Sequence, residues 1–402
     1  IDVGSSKVAV LAALRGATGG LTLLGGAQTP AKGLRRGAVA NIAAAAAAIG
    51  DALALAEAWQ SPTPDVIVLS LNGKHLHGHN LRGMTGVTAA DGRVTYADLA
   101  HAIGAARGTL RLAEHEEVVH LLPRAYLLDG QDGIRNPLGM SGMELAVEAH
   151  AVTGATATIE NLVRAARKAD VVPDDLVATP LAAFESLAVA ELGAETIGLA
   201  LVHEGAVCHS QVLPIGSASI TREIAQALRL PLDAAEALKC AYGQCDPRQL
   251  AEDALLDLRP LTRVDEVLPA RLLAELIHSR ALDLAEALRP PLVEALRAGL
   301  RPAALVITGG GAELAGLDRL LMDVLGLPVY PGVPGGIRGL PATLERPSFA
   351  VVAGLVRWGA RHALGSERDT AARPSGRRVA RALTVARRWM GGRRAARGAS
   401  DY

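Results

Sequence analysis

Aromatic side chains are scarce in this chain: Phe, Trp and Tyr make up 2% of 402 residues, with two Phe in all. With 50% of the residues hydrophobic, the cores must then be built from Ala, Val and Leu, a compositional bias without functional meaning. The three cysteines, Cys208, Cys240 and Cys245, are too few and too unevenly placed for a disulfide framework and suggest a reducing compartment. Cys240 and Cys245 lack the second Cys or His pair of a zinc site, so they read as small buried thiols. Charge of neither sign is in excess, with 41 basic and 41 acidic residues, which argues against a general nucleic-acid binder. No run of about 18 apolar residues exists to cross a membrane. No signal peptide is visible, although the chain starts at Ile1 rather than Met, which leaves room for trimming. The length suits two or three domains with sizeable cores.

Strand and helix patterns alternate along the chain. The first strand reads Ile1-Asp-Val and continues through residues 8–14. Helices are predicted over 41–59, 96–107 (opening at Thr95) and 159–169, with more at 218–228, 233–242 and 268–298. Strands are predicted at 66–71, 118–122, 125–128 (either side of Pro123), 145–152 and 176–180. Two more fall within 197–214 around Glu204-Gly205, and another at 305–307. From Ser366 onward the composition shifts to Arg, Ala, Ser and Gly, which marks a tail. The alternation implies an α/β chain, and a Gly-rich strand–turn near each end suggests two lobes around a nucleotide cleft.

Four groups of residues invite a chemical reading. Gly4-Ser5-Ser6, followed by Lys7, offers successive backbone N–H groups and two hydroxyls to an anion, with Asp2 placed to orient a Mg²⁺-bound water. The same strand and turn occur in many chains without any ligand. Thr308-Gly309-Gly310-Gly311 either lets a base or ribose lie against bare backbone or is a tight strand–helix turn needing positive φ. Glu236 and Lys239 share a helix face, as a solvated ion pair or as contacts to ribose and a purine edge. His75, His77 and His79 would share one strand face, but without a carboxylate or Cys beside them they read as an exposed polar face.

Taken together, the motifs resemble the FtsA family of bacterial cell-division proteins in the actin-like ATPase superfamily. The most specific stretch runs from Leu122 (Leu-Pro-Arg-Ala-Tyr-Leu-Leu-Asp-Gly) through Asn136-Pro-Leu-Gly-Met-Ser-Gly142 to Gly154. Further matching pieces are Ala31-Lys-Gly-Leu-Arg-Arg-Gly37, Glu160-Asn-Leu-Val163 and Arg346-Pro-Ser-Phe349 with Gly354. The resemblance spans Ile1 to about Ala363. It implies an actin-like two-lobed ATPase fold with ribonuclease H-like lobes, an extra small FtsA-type subdomain and a C-terminal amphipathic helix. The implied layout is first lobe 1–65, extra subdomain 66–152, first lobe again 153–185, second lobe 186–225, a further subdomain 226–300 and second lobe again 301–345. A closing helix 346–365, a linker 366–376, the amphipathic helix 377–392 and a tail 393–402 complete it. The resemblance places Asp2, Gly4, Ser5, Ser6 and Lys7 at a first phosphate loop, Glu236 and Lys239 on the helix facing ribose and adenine, and Gly309, Gly310 and Gly311 on an adenosine loop, with ATP and Mg²⁺ as ligands.

Family members carry a second phosphate loop of the form Asp-Ile-Gly-Gly-Gly-Thr-Thr-Asp. Here Ala194-Glu-Thr-Ile-Gly-Leu199 runs into the hairpin 200–210, with Thr196 near the loop's Thr and Gly198 at its second Asp. The preceding apolar strand, its Asp and the glycines find no counterpart, so one edge of the second lobe's sheet is expected to be missing. Charge-assisted hydrogen bonds are worth about 1.5–3 kcal/mol each. Two or three such losses would take micromolar binding to millimolar or beyond. The reading is an ATP site weakened or lost, through degeneration, a deletion in the sequence or rewiring, with no robust hydrolysis.

The tail has eight arginines between Arg377 and Arg397 and no acid among them. At 100° per residue Val379, Leu383, Ala386 and Met390 form one stripe with Trp389 at its edge, while Arg381 and Arg388 lie opposite with Arg377. That is the layout of a helix lying in a membrane interface, aided by about 1 kcal/mol per Arg near anionic lipid; the alternative is a disordered basic tail that touches RNA. The function implied is a division scaffold on the cytoplasmic face of the inner membrane, at the division site. Its partners would be the FtsZ C-terminal tail, later divisome membrane proteins, anionic inner-membrane lipids and further copies in protofilaments, with no nucleic acid. Residues 220–300, with Arg222, Arg229 and Lys239, offer basic groups to an acidic peptide. The alternatives are an active small-molecule kinase of the same superfamily, which would need a carboxylate base between the lobes, and a pilus-assembly actin-like protein.

Overall fold

A computed structural model describes residues 1–56, 64–185, 190–203, 205–259 and 267–362. The tail readings at Val379, Arg381, Leu383, Ala386, Arg388, Trp389 and Met390 lie outside the described residues, as do residues 57–63 at the end of the first predicted helix.

Strands β1 (Asp2–Val3) and β2 (Lys7–Arg15) form a hairpin, with Asp2 opposite Ala9 and Val3 opposite Val8. Residues 8–14 therefore do not continue the first strand. Gly4 N donates to Lys7 O at 3.0 Å and reverses the chain within four residues. β3 (Leu21–Pro30) pairs with β2. Next, β4 (Leu34–Arg35) and β5 (Ala38–Val39) enclose Arg36 and Gly37, both at positive φ (49° and 76°), as a two-residue hairpin turn demands. The Ala-rich α1 (Ile42–Leu55) starts where the Asn41 side chain accepts from Ala44 N. β6 (Val68–Leu71) meets the chain start through Ile1 N to Val68 O (2.8 Å) and Ser70 N to Ile1 O (2.9 Å).

The next elements form a layer of their own: β7 (His77–Gly86), α2 (Tyr96–Thr109), β8 (Glu116–Leu128), β9 (Gln131–Ile134) and β10 (Glu144–Ala155), with β10 between β7 and β8. Thr95 and Asp98 close a capping box at the start of α2, as a Thr before an acidic N3 residue favours. The helix lies so close to the sheet that a Cβ on Gly83 would sit 2.1 Å from Ala106 N. β8 is one strand rather than two. The ladder slips between Ala125 and Pro123, and this bulge lets proline pass through a paired strand.

The chain returns to the first lobe with α3 (Thr156–Lys168), β11 (Asp175–Ala178) and α4 (Thr179–Glu185). β11 pairs in parallel with β6, so β6 belongs to the first lobe's sheet although it falls inside the 66–152 span.

The second lobe begins with β12 (Ala190–Leu192), β13 (Ile197–His203) and β14 (Ala206–Leu213). The expected missing edge is thus corrected: β12 is present and central, parallel to β17 (Leu305–Thr308) on one side and antiparallel to β13 on the other. Between β14 and β17 come α5 (Ala218–Leu228), α6 (Leu232–Tyr242), the β15 (Leu255–Asp257)–β16 (Val267–Pro269) ribbon and the long α7 (Ala270–Arg297). α8 (Leu317–Leu325) and β18 (Val329–Pro331) follow β17, and β18 extends the same sheet. One ladder pair, Gln211 opposite His77, joins that sheet to the inserted layer. β19 (Ile337–Arg338) crosses back beside β3, and α9 (Ala350–His362) closes the first lobe against α4. There a Cβ on Gly354 would lie 1.9 Å from Ala182 O, so glycine sets the helix crossing.

Each lobe has its own core. Val8, Ile49, Leu69, Ile159, Leu181 and Trp358 belong to the first, and Leu192, Ile197, Ile220, Leu238, Ile277 and Ile307 to the second. Burial of such side chains contributes about 1.5–3 kcal/mol each, so both lobes have cores large enough to hold their shape around the cleft between them.

Candidate nucleotide cleft between the lobes

The first loop lies at the floor of the cleft. Asp2 is buried, and burial pushes its carboxyl up from the usual range, opposed by the Ser70 hydroxyl and by Lys7. Lys7 lies over the Phe349 ring at 4.7 Å, and its Nζ donates to Ser348 O (2.6 Å) and Gln28 Oε1 (3.2 Å). Burial lowers its ammonium, while Asp2, Glu313 and Glu191 raise it. Ser5 Oγ accepts from Gly37 N at 2.8 Å, and Ser6 is exposed.

Opposite stands the turn between β12 and β13, at the place in the chain where the resemblance puts the second loop. The eight residues Glu191-Leu-Gly-Ala-Glu-Thr-Ile-Gly198 occupy the strand–turn–strand that the Asp-Ile-Gly-Gly-Gly-Thr-Thr-Asp pattern implies. With Thr196 set at the pattern's first Thr and Gly198 at its second Asp, the turn has the pattern's length. Glu191 stands for the first Asp, Ala194 and Glu195 stand for two glycines, and Gly198 removes the second carboxylate. The loop is braced from behind: Gly193 N donates to Thr196 O (2.9 Å), Ser217 N to Gly193 O (2.9 Å) and Ala218 N to Ala194 O (2.7 Å). Glu191 is buried, its Oε2 has no hydrogen-bond partner, and its carboxyl is pushed up to about 8 by burial and by Asp2, against Lys7. Composition hid this strand. Glu191 interrupts the apolar run with a residue of low β-propensity, and Ala194 and Glu195 mask the glycines. The signal that could have found it is the apolar stretch from Leu187 running into Gly193.

The Gly309–Gly311 turn and the Glu236–Lys239 pair, which the resemblance assigns to adenosine, are arranged as follows. Gly309 has φ 83°, and a Cβ there would sit 2.6 Å from Leu192 O and 2.9 Å from Glu191 Oε1. A Cβ on Gly311 would lie 3.0 Å from Leu192 O. Packing therefore explains both glycines. Gly310 is exposed with nothing within 4 Å of its Cβ position, so it is the residue whose bareness packing does not require. On α6, Lys239 is buried. Its Nζ bonds Glu236 Oε2 (2.7 Å), Thr221 Oγ1 (2.8 Å) and Ser217 O (3.5 Å), which ties the helix to the braced second loop. Burial raises the Glu236 carboxyl, but Lys239, Thr221 and Cys240 outweigh it and hold it below the usual value.

Other sequence readings fare unevenly. Buried and paired, Lys239 is not available to an acidic peptide on the surface. Arg222 is exposed and lies 4.0 Å from Glu195 at the cleft, and Arg229 ends α5 in the left-handed region. Cys208 and Cys245 are buried, but Cys240 is exposed and donates to Glu236 Oε1 at 3.6 Å. His77 is exposed, while His75 and His79 are half-buried, His79 beside Thr153 Oγ1 at 3.1 Å. Among the described residues no three His, Cys, Asp or Glu side chains gather as a metal site, and no helix is long and apolar enough to cross a membrane. Two cavities of about 220 and 240 Å³ lie outside the cleft, one beside His120 and Trp358, the other beside Leu11 and Leu355.

The cleft fits the two ends of a nucleotide unequally. The bare Gly310 backbone suits a ribose and base, whereas the buried Lys239 ammonium is bonded to Glu236, Thr221 and Ser217. The phosphate end is occupied by the chain itself: Ser5, Lys7 and Thr196 are bonded to protein groups, Thr196 Oγ1 to Asn72 Nδ2 at 3.0 Å, and the Glu195 carboxylate accepts from Arg36 N.

Comparison with known proteins follows the same lines. The profile of the family described as cell division protein FtsA matches residues 188–354, and that of the SHS2 domain inserted in FtsA matches residues 73–153. The cell division protein FtsA of Pseudomonas aeruginosa is 30% identical over 371 residues, covering 89% of this chain and 88% of the relative. That of Neisseria meningitidis serogroup B is 29% identical over 375 residues (89% and 88%). That of Escherichia coli K12 is 26% identical over 388 residues (92% and 91%). A solved PilM-PilN type IV pilus biogenesis complex is similar with a TM-score of 0.64 and 22% identity, covering 89% of this chain and 97% of that one, a likeness of fold.

Proposed function

The chain belongs to the FtsA family of cell-division proteins, and from that premise we propose that it is a scaffold linking the FtsZ ring to the inner membrane at the division site. The observation that carries this reading is the inserted layer of β7–β10 and α2 on a two-lobed body, matched over residues 73–153 by the family's own insert. A kinase would need a carboxylate free to take a proton from an acceptor. In this cleft Asp2 and Glu191 are buried, with burial raising both carboxyls. The pilus-assembly reading is supported by likeness of fold alone.

In this proposal the lobes line up copy to copy, and residues 377–392 lie in the cytoplasmic leaflet with Val379, Leu383, Ala386, Trp389 and Met390 inward and Arg381 and Arg388 toward lipid phosphates. One short stripe binds reversibly, so many copies in a filament act together. The FtsZ C-terminal tail and later divisome membrane proteins are the protein partners. ATP and Mg²⁺ belong to the family's site. Here Asp2, Gly4, Ser5, Ser6 and Lys7 would face the phosphates, Glu236, Lys239 and Gly309–Gly311 the nucleoside, and Asp2 the metal through water. Bound there, the nucleotide would bridge the lobes and bias their closure.

The test is co-sedimentation of the full chain with anionic vesicles and FtsZ. The expected result is that the chain carries FtsZ down with vesicles. Removing residues 366–402 should abolish vesicle binding and leave FtsZ binding intact, and Arg381→Glu with Arg388→Glu should weaken it severalfold. A full chain that stays in the supernatant with both partners present would refute the scaffold reading.

A further inference from the structure

The second loop carries a carboxylate where the family pattern has a glycine, and that carboxylate crosses the cleft. Glu195, on the β12–β13 turn of the second lobe, accepts from the backbone N–H of Arg36 in the first lobe. Arg36 lies in the β4–β5 turn, 159 residues away in sequence. The other carboxylate oxygen lies 4.0 Å from Arg222 Nη1 on α5. Neighbouring groups complete the closure. Gly37, the next residue of that turn, donates to Ser5 Oγ of the first phosphate loop at 2.8 Å, and Asn72 Nδ2 donates to Thr196 Oγ1 at 3.0 Å. A Cβ on Gly37 would lie 2.7 Å from Gly73 N, so the turn is seated tightly and its two amides are held in place. The two amides are shared between the lobes' partners, Gly37 N–H going to Ser5 and Arg36 N–H to an anion. Here the anion is the side chain of Glu195.

We propose that Glu195 is an interlobe latch: its carboxylate supplies from within the chain the anion that holds the phosphate end of the cleft shut, so that the lobes close without a nucleotide and a nucleoside triphosphate must displace it. The specificity consequence rests on the nucleotide reading of the cleft; the latch itself does not. An entering γ-phosphate would meet the Glu195 carboxylate where it accepts from Arg36 N, and like charges at short range disfavour one another. In this reading the nucleoside end lies around the bare backbone of Gly310. The latch therefore selects against the number of phosphates rather than against the base.

The test is hydrogen–deuterium exchange on the full chain without nucleotide, read in the peptide spanning residues 31–41, in wild type, Glu195→Gly and the isosteric Glu195→Gln. A hydrogen bond to a carboxylate is the stronger kind, so the Arg36 amide should exchange about tenfold faster or more in Glu195→Gly. Glu195→Gln should fall between, with the Gly37 amide, bonded to Ser5, less affected. Equal exchange at Arg36 in all three proteins would overturn the latch. Titration with an ATP analogue and Mg²⁺ then separates the two readings. Binding at least tenfold tighter to Glu195→Gly than to wild type supports displacement. Faster exchange with no analogue binding to any variant leaves the latch standing and removes the nucleotide reading. Tighter binding to wild type than to Glu195→Gly overturns the exclusion of triphosphates.

Discussion

Replacing Glu191 with Gln should flatten the pH dependence of stability. The Glu191 carboxyl is pushed from its usual 4.5 to about 8 by burial and by Asp2. In the folded chain it keeps its proton until about pH 8, whereas in the unfolded chain it loses it near 4.5. Between these values the folded state holds more protons, so wild-type stability falls as pH rises through this window and levels off above it. Each pKa unit is worth about 1.4 kcal/mol, so the full window corresponds to at most ~5 kcal/mol. Asp2, also raised by burial, acts with the same sign. Gln keeps the shape of the side chain and never ionises. The assay is urea unfolding followed by circular dichroism at pH 5, 6, 7 and 8, comparing midpoints. Glu191→Gln should match or trail wild type at pH 5 and exceed it at pH 8. Parallel midpoint curves across that range would show that Glu191 is not a protonated buried carboxyl, and the account of the cleft floor would fail.

Other substitutions probe the frame around the cleft. Gly354→Ala places a Cβ 1.9 Å from Ala182 O, which forces α9 from α4 and should destabilise the first lobe by about 1–3 kcal/mol or more, read as a fall in Tm. Asp98 is buried and accepts from the backbone and hydroxyl groups of both Thr88 and Thr95. Asp98→Ala should therefore destabilise the inserted layer by about 2–4 kcal/mol, seen as faster amide exchange in α2 with the second lobe unchanged. Gly309→Ala forces a side chain against Leu192 O and should lower Tm, whereas Gly310→Ala should leave Tm unchanged and weaken binding of an adenosine analogue. A Gly310→Ala protein that binds the analogue like wild type would remove that loop from the nucleoside site.

Local chemistry made much of this protein legible in its sequence. Thr95 announces the start of α2, and the strand 305–307 runs into the glycines of residues 309–311. The inserted layer and the actin-like plan came from the family resemblance carried by the stretch 122–154, while the passage of β8 through Pro123 as one bulged strand was not legible there. Two features depended on contacts between distant residues. β12 is three residues long and contains a glutamate, so its local signal is weak; its pairing with β13 and β17 makes it central to the second lobe's sheet. Likewise Glu195 looks like an exposed loop acid until the fold brings it to Arg36 N. Propensity and periodicity act over a few residues, whereas a ladder between residues 190 and 307, or a hydrogen bond between residues 36 and 195, forms only when two lobes have closed. The sequence by itself determined the family, the two lobes and the positions of the glycine turns. Tertiary structure decided that β12 and its turn are present, that Glu191 and Glu195 face Asp2 and Arg36, and that Ser5, Lys7 and Thr196 are bonded to the protein's own groups.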